Sequence, residues 1–266
     1  MNSQVSRLPR NARRGSKPRC HWLTHGPREE VARRLTALIA PWATVSAADA
    51  WMPEGFDRRS EAQLHTANRL LDASMCEALG RWWLPRDHLD ARTPNWDLAA
   101  TCTMGSRRAV LLVEAKAHDH ELLHESRGRP LITSRSADQA SRRASHRTIE
   151  RAIAEARDGL NEATGLTWGI SRDSHYQLSN RFAWAWKLAA LGVPVVLVYL
   201  GFAGAREMAD KGEPFASGAA WEALVKEHAA EVVPESAWNA EWRVNGVPFV
   251  PIIRAFEQPL NGEHAA

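Results

Sequence analysis

Glu114 and Lys116 stand two residues apart in the run RAVLLVEAKA at 108–117. Such a run reads as a strand entering a buried sheet. Side chains alternate faces along a strand, so this acid and this base project from the same side, while Val113 and Ala115 project from the other, toward the core. A charged pair inside an apolar strand is costly unless it is partnered. Asp97 lies on the preceding strand, across a short hairpin, and can reach the same face. Two carboxylates and an ammonium then share one small site. Hard carboxylate oxygens suit Mg²⁺, with coordination positions left for water and phosphate. A cation held there lowers the pKa of a bound water and offsets charge on a phosphorane-like transition state. Lys116 beside it can orient or help deprotonate the water, or stabilise the developing charge. That is the equipment of phosphodiester hydrolysis. The chain also uses arginine by default: only five of its 34 basic residues are lysines, at 17, 116, 187, 211 and 226. A lysine at the buried strand position suits a need for a compact ammonium rather than a planar guanidinium.

A second motif competes. His120-Glu121-Leu122-Leu123-His124 matches HExxH. On a helix its histidines stand one turn apart and can bind zinc, with Glu121 as general base of a peptidase. Against this, the residues before it read as a strand, and Gly128 and Pro130 follow closely. The candidates for a third ligand are Glu150 and Glu155.

The elements that must position these groups follow from periodicity. A helix is expected over about 27–40, from Val31, Leu35, Leu38 and Ile39, with Pro41 ending it. A second is expected over 60–80, capped by Ser60, with Leu64, Leu71, Met75 and Leu79 inward. Strands are expected over 95–104 and 108–117, joined at Gly105 and Ser106. Residues 125–147 are polar and read as a loop. Helices follow, one carrying Ile149, Ala152, Ile153, Ala156 and Leu160, the next running from near Ser174 to Leu191. The apolar segment 193–200 reads as a strand buried on both faces. Trp221, Leu224 and Val225 suggest another helix, and 247–253 a last extended piece. Helix, hairpin, helix, buried strand is the order of an α/β fold with a mixed sheet flanked by helices.

The arrangement Pro94-Asn95-Trp96-Asp97, then Glu114-Ala115-Lys116 after one hairpin, resembles the PD-(D/E)xK, or restriction endonuclease-like, nuclease superfamily. The helix–strand–strand–helix–strand order from Ser60 to Leu200 also looks like that family's core. The resemblance spans about half the chain. Two residues separate Pro94 from Asp97, so the literal Pro-Asp dipeptide is absent. The resemblance implies a metal-dependent nuclease acting on DNA, with RNA left open, and using Mg²⁺ or Mn²⁺. It implies Asp97, Glu114 and the backbone carbonyl of Ala115 as metal ligands, with Lys116 catalytic. Family members often add a glutamate from the helix before the sheet, and Glu61 matches that helix's inner phase better than Glu77. They also often place Gln, Arg or Tyr on the helix after the hairpin, where Gln177 and Arg181 fall. Many such nucleases pair to cut two strands, so a homodimer is part of the expectation. The non-enzymatic alternative is a nucleic-acid-binding or interaction module that keeps the fold without turnover.

Composition sets the remaining bounds. The chain has 266 residues, 44% hydrophobic and 24% charged, enough for one domain over 21–266 with a sizeable core. No apolar run approaches the roughly 20 residues that span a bilayer, and no signal-peptide core follows the start. Cys20, Cys76 and Cys102 are scattered, without a CxxC pair, which disfavours a disulfide framework and suits a reducing cytoplasm. The net charge of +3 is carried by residues 1–20, which hold Arg7, Arg10, Arg13, Arg14, Lys17 and Arg19 and no acid. Such a segment reads as a disordered basic tail, and the body without it is net acidic. Between 127 and 147, six arginines (127, 129, 135, 142, 143, 147) face one acid, Asp138, and could lie along a phosphate backbone.

Overall fold

Two apolar runs, Arg107–Lys116 (β3) and Val195–Ala203 (β4), pair in parallel at the centre of a six-stranded mixed sheet. The computed structural model describes residues 3–85, 93–129 and 139–260. Leu98–Met104 (β2) pairs antiparallel with β3, turning through Gly105 at φ 60°, a left-handed conformation that glycine adopts without strain. Trp51–Met52 (β1) extends that edge. Val247–Glu257 (β6) pairs in parallel with β4, and Trp242–Val244 (β5) closes the far edge, giving the order β1-β2-β3-β4-β6-β5. The chain is thus α/β with a mixed sheet flanked by helices.

The pleat divides this sheet between two cores. Val110 and Leu112 of β3, with Leu197 and Tyr199 of β4, face one apolar cluster, which is built with Ala73–Trp83 (α4), Gln139–Thr164 (α6), Tyr176–Ala190 (α7) and Gly218–Ala229 (α8). Leu111, Val113, Ala115, Val196 and Val198 face a second cluster with Ser16–Leu23 (α2) and Arg28–Ile39 (α3). Both faces of β3 are therefore buried. Glu114 and Lys116 share the parity of Val110 and Leu112, so they project toward α7 and not toward solvent.

Several expected elements are corrected. The helix expected over 60–80 starts only at Ala73, where the Asp72 side chain accepts from Met75 N–H and caps it. Residues 60–71 form turns instead, and Ala62 bridges Trp96. Leu64, Leu70 and Leu71 are buried from those turns, which is why they imitate a helical stripe. The helix runs past the expected end at 80 to close on Trp82 and Trp83. The polar stretch 125–147 holds more helix than expected: α5 (Asp119–Leu123) is followed by a 3₁₀ turn, His124–Ser126, and α6 begins at Gln139, where Ala and Arg favour the helix despite their polarity.

The N-terminal segment is folded rather than a disordered tail. Ser3–Ser6 (α1) leads to a short cluster of Val5 and Leu8 with Phe56 and Leu260. Three of its cations are paired across the chain: Arg14 with Asp210, Lys17 with Glu61 at 2.7 Å, and Arg19 with both oxygens of Glu207 at 2.5 and 3.0 Å. Local charge suggested repulsion and disorder, but the acids that satisfy it are distant in sequence. Arg19 is buried. Arg19→Ala is therefore expected to cost about 2 kcal/mol or more in urea unfolding, since it strands a half-buried carboxylate. Loss of a cation from a solvated arm would change stability by less than about 0.5 kcal/mol. Among the described residues no helix is long and apolar enough to cross a membrane.

Candidate active site on the β2–β3 hairpin

The β2–β3 register pairs Leu98 with Val113, and one further step sets Asp97 opposite Glu114. Paired residues of antiparallel strands point to one face, so Asp97, Glu114 and Lys116 gather on the α7 side. Asp97 is fixed from both directions along the chain. Trp96 before it is fully buried, and an Asp97 carboxylate oxygen accepts from Ala115 N–H at 2.8 Å. The peptide of Ala115 thus lies against Asp97.

Glu114 is 1% exposed and Lys116 5%. Lys116 Nζ donates to Glu114 Oε1 at 2.6 Å. From α7, Gln177 Nε2 donates to the same oxygen, and Arg181 Nε donates to Glu114 Oε2 at 2.5 Å. Gln177 and Arg181 are four residues apart, one helical turn, and so reach one partner together. Arg181 also donates to the Asn95 carbonyl at 2.8 Å and lies over the Trp96 ring at 4.7 Å, tying α7 to the entry of β2. Glu61 is not on a helix, yet it lies beside the same entry, accepting from Asn95 Nδ2 at 3.0 Å and from Lys17. It does not contact Asp97 or Glu114 by any hydrogen bond; its place is at the rim.

A further acid completes the group. Glu125, in the 3₁₀ turn after α5, is 2% exposed, and its Oε1 lies 2.6 Å from Lys116 Nζ. This ion pair is the contact that Glu125 makes, and no second donor reaches its carboxylate. Tyr199, opposite Glu114 in the β3–β4 register, is fully buried with an Oη that has no hydrogen-bond partner. In the sequence Glu125 opens a polar stretch, with nothing to mark it as buried. Tyr199 was the more visible signal, the one hydroxyl in VVLVYLGFA.

The charges do not balance within the protein. Asp97, Glu114 and Glu125 offer three negative charges against the two positive charges of Lys116 and Arg181. Burial, then the neighbouring Glu114, push the Asp97 carboxyl up to about 7. Burial also pushes Glu125 up to about 7, against the pull of Lys116. Burial works against the Glu114 charge too, but Arg181 and Lys116 outweigh it and hold Glu114 below the usual carboxylate range. Burial alone would lower the Lys116 ammonium, and the carboxylates of Glu114, Glu125 and Asp97 raise it instead. A local surplus of carboxylate is the chemistry that suits a hard divalent cation. Asp97 and Glu114 offer the side-chain oxygens for it. Among the described residues, no three His, Cys, Asp or Glu side chains are grouped to hold a metal ion.

The HExxH residues are arranged otherwise. His120 and Glu121 sit on α5, only five residues long, and His124 opens the 3₁₀ turn after it, with the His120 and His124 rings 6.4 Å apart between centroids. Glu121 accepts from Ala117 N–H at 2.6 Å and lies 3.7 Å from His118 Nε2, so its carboxylate is committed to the end of β3. Glu150 and Glu155 pair elsewhere, with Arg172 and with Lys187 and Trp82. Of the basic stretch, Arg135 and Asp138 lie outside the described residues. Arg129 is spent on the Tyr176 hydroxyl at 2.9 Å, while Arg143 and Arg147 stand exposed on α6.

No protein-family model matches the chain, and neither a search of curated proteins nor one of solved structures finds a match.

Proposed function

We propose that this chain is a metal-dependent nuclease with a restriction endonuclease-like core, hydrolysing phosphodiester bonds of DNA at Asp97, Glu114 and Lys116. The observation that carries the reading is the convergence of those three side chains on one sheet face, Glu114 and Lys116 buried and Asp97 half-buried, from two strands joined by one hairpin, with Gln177 and Arg181 of α7 holding Glu114. The β2–β3 hairpin, the helices after it and the parallel β4 agree with the order that the PD-(D/E)xK resemblance requires. Asp97, Glu114 and the Ala115 carbonyl are the groups that would hold Mg²⁺ or Mn²⁺. Such a cation supplies an activated water and offsets negative charge on the phosphate. The residues of the chain then divide the remaining tasks. Lys116 presents an ammonium toward the reacting phosphate. Gln177 and Arg181 hold the Glu114 carboxylate in a fixed orientation. Trp96 and the Arg181–Asn95 contact set the depth of Asp97.

Plasmid cleavage by the purified protein tests the reading. Nicking is expected with Mg²⁺ or Mn²⁺ and not with a chelator. Lys116→Ala is expected to lose at least about 100-fold in rate, the range for removing one preorganised charge-stabilising group. His120→Ala, altering an exposed ring of α5, is expected to cut as the wild type does. A wild-type protein inert on DNA and RNA with either metal would sink the proposal and leave the binding-module reading.

A further inference from the structure

We propose that Glu125 is a positioning residue for Lys116, the second jaw of a clamp that fixes the ammonium and keeps it fixed when the Glu114 oxygens turn to another partner. The kinetic consequence rests on the nuclease reading; the clamp itself does not.

The argument starts from cost. A carboxylate taken wholly out of water is expensive unless donors surround it. Glu114, on the same face, has three donors: Lys116, Gln177 and Arg181. Glu125 has a single donor, Lys116 Nζ at 2.6 Å. A carboxylate so placed contributes little to the fold that a glutamine or leucine would not. What it does supply is a second negative wall beside a flexible side chain. Lysine carries its charge on a four-carbon stem with several rotatable bonds. Held by Glu114 alone, Nζ would share its only anchor with Gln177. Placed 2.6 Å from Glu114 and 2.6 Å from Glu125, it is confined from two sides. The two jaws come from different elements, β3 and the turn after α5, so the clamp also fastens that turn to the sheet.

The division of labour follows. Glu114 is the jaw that the proposed metal would engage, and Gln177 and Arg181 already compete for its oxygens. Glu125 touches Lys116 and, among the described residues, makes no other hydrogen bond or ion pair. It can hold the ammonium throughout, which favours Lys116 as a standing cation over Lys116 as a base.

The test uses the five lysines of the chain. In protein labelled with ¹⁵N-lysine, the clamped Lys116 ammonium is expected to give a signal protected from exchange with water, assigned by its loss in Lys116→Ala. In Glu125→Gln that signal is expected to broaden or disappear. With plasmid DNA, the same variant is expected to lose about 10- to 100-fold in kcat, with KM for DNA unchanged. In a Lys116→Ala background it should cause no further loss. Glu125→Asp, which keeps the charge but shortens the reach by one methylene, is expected to fall between wild type and Gln in both readouts. It also serves if the Gln variant does not fold. An unchanged Lys116 signal in the Gln or the Asp variant overturns the clamp whatever the activity, and a further loss of rate in the Lys116→Ala background overturns it as well. A lost signal in a protein that cuts no nucleic acid would leave the clamp standing and the nuclease reading fallen.

Discussion

Asp97→Asn is expected to abolish cleavage while making the metal-free protein more stable at pH 8. The two effects have one cause. Folding places the Asp97 carboxyl where burial and the Glu114 charge push its pKa up to about 7. The unfolded chain ionises the same group near 4. Between those values unfolding releases a proton, so rising pH favours the unfolded chain. Stability is lost from about pH 4 up to about pH 7 and then levels. At pH 8 the penalty for holding Asp97 charged is about 2–4 kcal/mol. Asparagine keeps the shape, can still accept from Ala115 N–H, and carries no charge to penalise. Thermal unfolding without metal should therefore give the variant the higher Tm at pH 8, with the difference vanishing toward pH 4. Cleavage should fall by about three orders of magnitude or more, about 4 kcal/mol of transition-state stabilisation. A residue kept at the expense of stability is the mark of a working site. A variant less stable than wild type at every pH would identify Asp97 as a structural acceptor, and the metal-site reading would lose its first ligand.

The parts of this site that lie within one hairpin were legible in the sequence. Period-two alternation is a local rule, and it is enough to place Glu114 and Lys116 on one face. Asp97 followed because a two-residue turn leaves little choice of register. Gln177 and Arg181 were legible as residues one turn apart, but not as partners of Glu114, because helix phase against a sheet is set by packing far along the chain. Glu61 was expected on a helix that does not form there. Its inner phase on an expected helix was an accident of turns that bury Leu64 and Leu71, and it reaches the rim of the site through the Ala62–Trp96 bridge. Glu125 and the folded N-terminus show the limit more sharply. Each owes its place to a partner at long or irregular separation, Lys116 in one case and Glu207, Asp210 and Glu61 in the other. Charge runs read locally predict repulsion, and only the fold supplies the opposite sign.

Arg181→Ala is expected to be the most destabilising single change at the site, and the one most changed by metal. Arg181 is 5% exposed and satisfies one Glu114 oxygen, the Asn95 carbonyl and the face of Trp96 together. Removing it strands a buried carboxylate and a backbone acceptor at once, and breaking such a pair from one side costs about 3–5 kcal/mol. Lys116 and Gln177 remain on Glu114, so the fold should survive with a lowered Tm. The same arginine would oppose a divalent cation at the proposed site. A cation at the proposed site would compete with it for Glu114, and in the wild type part of the binding free energy would go into displacing or sharing the guanidinium. With Arg181 gone, the stranded carboxylate gains more from a cation. Any ligand that binds only the folded state stabilises it in proportion to the logarithm of one plus the ratio of its free concentration to its Kd. Titrating Mn²⁺ into both proteins should therefore raise the Tm of Arg181→Ala further than that of the wild type and recover part of the loss. An equal shift in the two would mean that the cation does not reach Glu114, and no shift in either would remove the metal from the site.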